Sequence, residues 1–318
     1  MEHLEQLLSI IRTNTQSILP EEPKEFFANC TWPLVDQVLT QSKFKNLKGL
    51  GLDIYGTLVV SAAGDISLGE EPKDSLGAMN QFMIRWNLPY EPDYLVQRID
   101  QEISQEHKRA KSAGILYPEV DIRACWHQLF LHDLQTGELS LNVFEHLMTP
   151  GTIELFATDY ETVVNPVAPM PELMLLLETL SQQTKLVPGI VSNAQCYTPY
   201  LFPGFTGKTL EEFGFDPALQ IYSYQHGVGK PSVELYQLLA QAYQNRGISP
   251  DQVLFVGNDI LKDCWAASQA GFLAGLYAGD KRSLRLHQGD RRVLGFEPDV
   301  VLKDLVELVK LISLVKMF

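Results

Sequence analysis

The sequence contains little cysteine, and the few cysteines that it has lie far apart. Among 318 residues there are four, and no two of them form a CxxC pair: Cys30, Cys125, Cys196 and Cys264. This spacing gives no support to a zinc-binding or dithiol redox motif. Scattered, reduced thiols are typical of a reducing compartment, so we expect a cytoplasmic protein.

Long apolar runs and a basic N-terminus are also missing. No stretch approaches the roughly 20 apolar residues that cross a bilayer. The chain begins MEHLEQLLSIIRTNTQS, which carries acids where a secretory signal peptide needs bases. We therefore expect neither a membrane span nor a signal peptide.

Positive charge is the third shortage. The chain has 25 Lys and Arg against 39 Asp and Glu, which gives a formal net charge of −14. Such a surface repels nucleic acid and anionic lipid, so we expect a small-molecule partner instead of either. An anionic substrate is repelled in the same way, and a phosphate site therefore needs a local cation, from a metal or a lysine. The oligomeric state stays open, with a homodimer as one option.

The hydrophobic pattern divides the chain into three parts. Residues 1–46 form a helical extension, in which apolar residues recur at helical spacing: Leu4, Leu7, Leu8 and Ile11. Residues 60–164 are dominated by long helical patterns and are predicted to form an inserted cap. Residues 47–59 and 165–318 alternate between strand and helix patterns. This alternation predicts an α/β core with a doubly wound parallel sheet.

Polar side chains follow the predicted core strands. Asp53 lies in DIYGT, Ser192 in VSNA and Lys230 in GVGKPS, while Asp259 and Asp263 lie in GNDILKD. In open parallel sheets, ligands bind beyond the carboxyl ends of the strands. We therefore expect these five residues to meet in one crevice.

The chemistry of this set is coherent. A carboxylate at a strand end, such as Asp53, forms a covalent ester when it attacks phosphorus or carbon. The Ser192 hydroxyl is suited to hold the oxygens of the transferring group, and Lys230 to neutralise both the nucleophile and that group. A second carboxylate cluster completes a set of oxygen ligands of the kind that Mg²⁺ prefers. A bound metal would also screen the repulsion between Asp53 and an anionic substrate.

In this order the four motifs resemble those of the haloacid dehalogenase superfamily. That family carries DxDxT after the first strand, Ser or Thr after the second, Lys in the third motif and paired acids in the fourth. DIYGT, VSN, GKPS and GNDILKD match that order. The resemblance covers about 47–58 and 165–310, and the stretch between the first two motifs resembles the family's inserted helical cap. It implies a hydrolase with a Rossmann-like core, an Asp53 nucleophile and Mg²⁺.

The resemblance also implies roles for the neighbours of the nucleophile. Thr57 would cap a turn near the phosphate and support catalysis. Ser192, Asn193 and Lys230 would bind the phosphate, with Ser192 and Lys230 also catalytic.

For the metal, the resemblance implies the Asp53 carboxylate, the main-chain carbonyl of Tyr55 and an acid of the fourth motif. We expect Asp259 to be that acid. Asn258 occupies the position where the family usually has Asp, and its neutral oxygen makes it an alternative ligand. Asp263 is expected to orient Lys230 or to serve as a further alternative ligand.

Tyr55 departs from the pattern of the family's phosphatases, which carry a second Asp two residues after the nucleophile. That Asp protonates the leaving group and then activates water, and a phenol with a reference pKa of about 10 replaces it poorly. In this family, Tyr here is typical of metal-free 2-haloacid dehalogenases, in which halide leaves without a proton. Those enzymes lack the acidic fourth motif, whereas GNDILKD keeps two carboxylates.

Three hypotheses therefore stand. The first is Mg²⁺-dependent phosphatase-type hydrolysis of a small phosphorylated metabolite, with a cap acid or with a leaving group too weakly basic to need one. The second is carbon–halide hydrolysis, with a halide pocket built from cap arginines (Arg85, Arg98, Arg109 or Arg123), or a related phosphonate cleavage through Lys73 or Lys108. The third is a non-enzymatic binding protein on the same fold.

Overall fold

A computed structural model describes residues 2–62, 75–182 and 185–316. The strands of the described residues are β1 (Gly49–Leu52), β2 (Val59–Ser61), β3 (Val167–Pro169), β4 (Val187–Ser192), β5 (Gln220–Tyr222), β6 (Val253–Gly257), β7 (Leu273–Tyr277) and β8 (Val300–Leu302).

The α-helices of the described residues surround these strands, and none of them is both long and apolar enough to cross a membrane. They are α1 (Glu2–Asn14), α2 (Lys24–Asn29), α3 (Val35–Val38), α4 (Ser42–Lys45), α5 (Ser75–Arg85), α6 (Pro92–Ser112), α7 (Ile122–Thr136), α8 (Leu141–Leu147), α9 (Thr152–Val164), α10 (Leu173–Gln182), α11 (Thr198–Thr206), α12 (Ser223–His226), α13 (Val233–Gln244), α14 (Ala266–Gln269) and α15 (Leu305–Lys316).

Six strands form one sheet in the order β5-β4-β1-β6-β7-β8. Every pair in this sheet is parallel, and β1 lies between β4 and β6, with Leu52 opposite Ile190 on one side and Val256 on the other. Helices lie in the connections between the strands of this sheet up to β7, while β7 and β8 are joined by a loop. Strands β1 and β6 are buried throughout, as expected for a sheet covered on both faces. The predicted α/β core with a parallel sheet is confirmed.

The helical region, residues 75–164, has a hydrophobic cluster of its own. Aromatic rings pack edge-to-face around Phe156, whose centroid lies 4.8 Å from that of Trp126 and 5.1 Å from that of Phe82. Beside this region, β2 and β3 pair antiparallel in a separate two-stranded sheet. The predicted boundaries at 60 and 164 stay a prediction, although the separate cluster is what an inserted cap requires.

The N-terminal segment lies across both parts of the molecule. Helix α1 packs against α9 of the helical region and α11 of the core, and it buries three apolar side chains there: Leu7, Leu8 and Ile11. At its end, Asn14 donates hydrogen bonds of 2.9 Å to the side chains of Asp159 and Thr162. The segment further along hydrogen-bonds to residues 280–282, because Glu21 N donates to Asp280 and Lys281 N to Glu21.

Candidate active site

A polar cavity of about 40 Å³ lies at the carboxyl ends of β1, β4 and β6. This volume exceeds the roughly 10–15 Å³ that one water molecule needs. The described residues that line it come from all four motifs and from the loop after β7: Asp53, Tyr55, Asn193, Lys230, Asn258, Asp259, Lys262, Asp263, Ser283 and Arg285. The four predicted motifs therefore meet at one place.

Asp53 is buried at the end of β1, where its own N–H donates to the carbonyl of Val256 in the neighbouring strand. Its Oδ1 accepts two hydrogen bonds, from Lys230 Nζ at 2.7 Å and from Ser192 Oγ at 3.0 Å. Among the described residues, no hydrogen bond reaches its Oδ2. One oxygen of the carboxylate is thus held and the other is left for a ligand.

Lys230 joins two carboxylates that are themselves buried. Its Nζ lies 2.7 Å from Asp53 Oδ1 and 2.6 Å from Asp263 Oδ1. Burial alone would lower the pKa of this ammonium, but the carboxylates of Asp263 and Asp53 outweigh it and raise the pKa. A permanently charged ammonium is what two buried carboxylates require in order to stay ionised.

Asp263 lines the cavity and also holds Lys230 in place. Its Oδ2 accepts the backbone N–H of Asp259 at 3.0 Å, and Tyr236 donates to its Oδ1 at 3.3 Å. Burial raises the pKa of this carboxyl, and the Lys230 ammonium acts in the opposite direction. A Cβ at Gly257 would lie 2.3 Å from Asp263 Cγ, so the glycine that ends β6 is needed for this close approach.

Thr57 and Asn258 connect the first motif to the fourth. The Thr57 hydroxyl donates to Asn258 Oδ1 over a long 3.3 Å, and Asn258 Nδ2 donates to the carbonyl of Ser283 at 2.6 Å. Gly56, which precedes Thr57, has a φ of 82°, a conformation that favours glycine. Because its amide nitrogen is fixed by Ser283, Asn258 presents its oxygen to the first motif.

Asn193 lies in the cavity wall and connects the second motif to the third. Its Oδ1 accepts the backbone N–H of Lys230 at 2.7 Å. The preceding Ser192 is fully buried. The predicted phosphate-binding residues therefore lie together beside Asp53: Ser192 and Lys230 bond to its carboxylate, and Asn193 bonds to Lys230.

Both oxygens of Asp259 are already engaged. Oδ1 accepts the backbone N–H groups of Leu261 and Lys262 at 2.9 and 2.7 Å, so Asp259 caps the helical turn Ile260–Trp265. Oδ2 lies 2.8 Å from His287 Nε2. Asp259 lines the cavity, but its role as a direct metal ligand stays a prediction.

The Tyr55 side chain is unsuited to proton transfer at the nucleophile. Its hydroxyl is buried and lies 3.0 Å from the Thr198 hydroxyl. Burial raises the pKa of this phenol, against the smaller opposing effect of that hydrogen bond. This agrees with the expectation that the position lacks a working acid.

The four arginines considered for a halide pocket pair with carboxylates of the helical region. Among the described residues, none of these arginines lines the cavity: Arg85 pairs with Asp159, Arg98 with Asp133, Arg109 with Glu106 and Arg123 with Asp121. Lys108 is exposed on α6, and Lys73 lies outside the described residues.

Sequence reasoning missed three residues that line the cavity: Lys262, Ser283 and Arg285. Ser283 and Arg285 lie in a loop after β7 that has no motif of its own. Only its run of basic residues, KRSLRLHQGDRR, marks it as unusual in so acidic a chain. Glu119 was also missed. It crosses from the helical region and accepts hydrogen bonds from Ser223 and Gln195 beside the second motif.

Comparison with known protein families identifies the class of protein to which the chain belongs. The sequence matches the family model for haloacid dehalogenase-like hydrolases over residues 47–271. This match spans most of the chain, so the protein belongs to the haloacid dehalogenase-like hydrolase family and is a hydrolase of that superfamily. The family includes more than one chemistry, and the match leaves the reaction open. No curated protein sequence matches the chain.

Solved structures of the same fold are similar over most of the chain. A 2-haloacid dehalogenase from Pseudomonas syringae is 18% identical with a TM-score of 0.54, covering 84% of this chain and 98% of that one. A HAD hydrolase from Bacillus subtilis bound to magnesium is 15% identical, with a TM-score of 0.43 and coverages of 84% and 99%. A HAD phosphatase from Thermococcus onnurineus is 17% identical, with a TM-score of 0.41 and coverages of 84% and 98%. At these identities the likeness shows the fold alone.

Proposed function

We propose that this hydrolase transfers a phosphoryl group from a small phosphorylated metabolite to Asp53 and then releases inorganic phosphate. The supporting observation is the composition of the cavity wall. Every described residue that lines it carries a polar group. Three of them are carboxylates, and three are cations: Lys230, Lys262 and Arg285. A dianionic phosphoryl group suits such a wall, whereas an alkyl halide needs apolar surface around carbon.

The proposed reaction uses the two carboxylate oxygens of Asp53 differently. Oδ2 attacks phosphorus, the bond to the leaving oxygen breaks, and an aspartyl phosphate forms. Lys230 and Ser192, which hold Oδ1, are placed to stabilise the negative charge of the transferring group. Water then attacks the phosphorus of the aspartyl phosphate, and the Asp53 carboxylate is regenerated as phosphate leaves.

The leaving group follows from the missing acid at Tyr55. A leaving group that is a weak base departs without a proton, whereas an alkoxide needs one. We therefore propose acyl or aryl phosphates as preferred substrates over alkyl phosphates. Such a small-molecule substrate also agrees with the acidic surface, which disfavours nucleic acid.

Magnesium belongs to the same proposal. Among the described residues, no three or more His, Cys, Asp or Glu side chains form a group that could hold a metal ion. Mg²⁺, however, is commonly held by one or two carboxylates together with substrate phosphate and water. The Asp53 carboxylate, the Tyr55 carbonyl and the Asn258 amide oxygen form an oxygen donor set of that kind. When bound there, Mg²⁺ would polarise the phosphoryl oxygens.

The choice between Asn258 and Asp259 as ligand is testable by metal titration. Because Asp259 already caps a turn and contacts His287, we expect Asn258→Ala to weaken Mg²⁺ binding about tenfold or more, and Asp259→Asn to weaken it less. Calorimetric titration of Mg²⁺ measures this without turnover. A larger loss in Asp259→Asn would instead identify Asp259 as the ligand, as the sequence predicts.

The reaction itself is tested with acetyl phosphate and p-nitrophenyl phosphate, each with Mg²⁺ and with EDTA. We expect phosphate release with Mg²⁺ and a strong loss in EDTA, with propyl phosphate the poorest substrate. Phosphate release no greater than that of Asp53→Asn under all conditions would contradict the proposal and favour a binding protein on this fold.

Carbon–halide hydrolysis is the second candidate, because Tyr55 occupies the position of the phosphatase acid. The same preparation is therefore incubated with 2-chloropropionate in EDTA. Chloride release that depends on Asp53, without phosphate release from acetyl phosphate or p-nitrophenyl phosphate, would favour this candidate over the phosphatase proposal.

A further inference from the structure

We infer that Arg285 binds a second anionic group of the substrate and so selects small phosphorylated molecules that carry an additional carboxylate or phosphate. This inference rests on the proposed function and adds the substrate class. It concerns a core residue outside the four motifs, on the loop after β7.

The backbone of Arg285 is fixed beside the fourth motif. Arg285 N donates to the carbonyl of Asn258 at 3.1 Å, and the carbonyl of Arg285 accepts from Ile260 N at 2.8 Å. These bonds form a parallel bridge between Asp259 and Arg285. The loop is also tied to the N-terminal segment through Asp280 and Lys281. Backbone hydrogen bonds therefore fix the main chain at Arg285, which does not lie at a free loop tip.

Arg285 lines the cavity, and among the described residues its guanidinium has no carboxylate partner. Its Nη1 donates to the carbonyls of Arg282 and Leu284 at 2.5 and 3.2 Å. Among the described residues, no Asp or Glu pairs with it, whereas the neighbouring Arg282 pairs with Asp280 and Arg292 with Asp290. A guanidinium presents five donors in a planar fork, so Arg285 keeps donors for a ligand.

The charges around the cavity indicate why a substrate anion would bind to Arg285. Lys230 is committed to Asp53 and Asp263, and the whole chain has a net charge of −14. A substrate with two anionic groups is repelled by that field and gains from a cation with which no acid of residues 2–62, 75–182 and 185–316 pairs. Arginine is the side chain best matched to carboxylate or phosphate, because both of its donor edges form paired hydrogen bonds.

The position of Arg285 and Asp53 in one cavity decides the form of the test ligand. Both residues line the same cavity, so a ligand that contacts both needs only a short linker. Carboxyethylphosphonate has this form. Propylphosphonate is its control, because it has the same chain length but no second anion.

The test is calorimetric binding of these two phosphonates in the presence of Mg²⁺, which needs no turnover. We expect the wild-type protein to bind carboxyethylphosphonate about tenfold or more tightly than propylphosphonate. In Arg285→Gln this preference should shrink to about twofold or less, and Arg285→Lys should restore part of it. Propylene bisphosphonate in the same series tells whether carboxylate or phosphate is the preferred second anion.

Lys281→Gln is the matched control, because it removes one positive charge from an exposed position of the same loop. It should keep the wild-type preference. Equal affinity for the two phosphonates in the wild-type protein, an undiminished preference in Arg285→Gln, or an equal loss for both ligands would overturn the inference. Equal loss would mean that Arg285 holds the transferring group itself.

This binding experiment separates the inference from the proposed reaction. Absence of phosphate release from acyl phosphates would contradict the reaction and leave the phosphonate preference measurable. If phosphate is released, succinyl phosphate should be preferred over butyryl phosphate by the wild-type protein. Loss of that preference in Arg285→Gln is then expected, and its retention would count against the role of Arg285.

Discussion

Asp53→Asn is expected to reduce phosphate release by about 10⁴-fold or more, because removal of a covalent nucleophile eliminates the reaction path rather than weakening it. The amide lacks the carboxylate oxygen that attacks phosphorus. Lys230 keeps its contact with Asp263, so the variant should fold. The measurement is kcat for acetyl phosphate, with circular dichroism to establish that the structure is kept.

Asp36→Asn provides the control, since Asp36 is exposed on a helix away from the cavity. It should keep wild-type kcat. A folded Asp53→Asn protein with more than about a tenth of wild-type activity would exclude a covalent Asp53 mechanism. Spontaneous hydrolysis or a different residue would then account for the phosphate release.

Lys230→Met is expected to destabilise the protein by about 3–5 kcal/mol near neutral pH, because it leaves two buried carboxylates without their shared cation. Asp53 and Asp263 are both buried, and no cation would then lie between their carboxylates. Activity should also be lost, since the charge on the transferring group is no longer compensated. Urea unfolding gives the free energy, and the same assay gives the activity.

The destabilisation should depend on pH with a definite sign. Burial already raises the pKa of the Asp263 carboxyl in the folded protein, and the Lys230 ammonium opposes that rise. Without the ammonium, the pKa of Asp263 in the folded state therefore moves further above the unfolded value near 3.9. The folded variant then binds more protons than its unfolded chain, so its stability falls as pH rises. The difference from wild type should therefore be larger at pH 8 than at pH 5. Lys281→Met should show no such trend, and a pH-independent loss in Lys230→Met would argue against paired, ionised carboxylates.

The sequence alone predicts the meeting of Asp53, Ser192 and Lys230, because each follows a parallel strand or lies in the loop that faces its end. The position of Asp263 beside Lys230 is predictable for the same reason. These placements depend only on the topology of the sheet. The alternation of apolar runs and amphipathic helices in the sequence predicts that topology.

What the sequence does not predict is which partner each side chain finds. The engagement of Asp259 by His287 joins positions 28 residues apart, and the Tyr55 hydroxyl meets Thr198 across 143 residues. Arg85 is paired with Asp159 rather than turned to the cavity. Such pairings are decided by tertiary packing, for which a single sequence carries no periodic signal.

Helix α1 has a mechanical consequence for entry to the cavity. It lies on α9 and α11 together, and Asn14 bonds to Asp159 and Thr162 at one end of that contact. If the helical region swings away from the sheet to admit substrate, α1 must travel with one neighbour and slide over the other. The N-terminal helix would therefore resist such a movement, because its buried face contacts both neighbours at once.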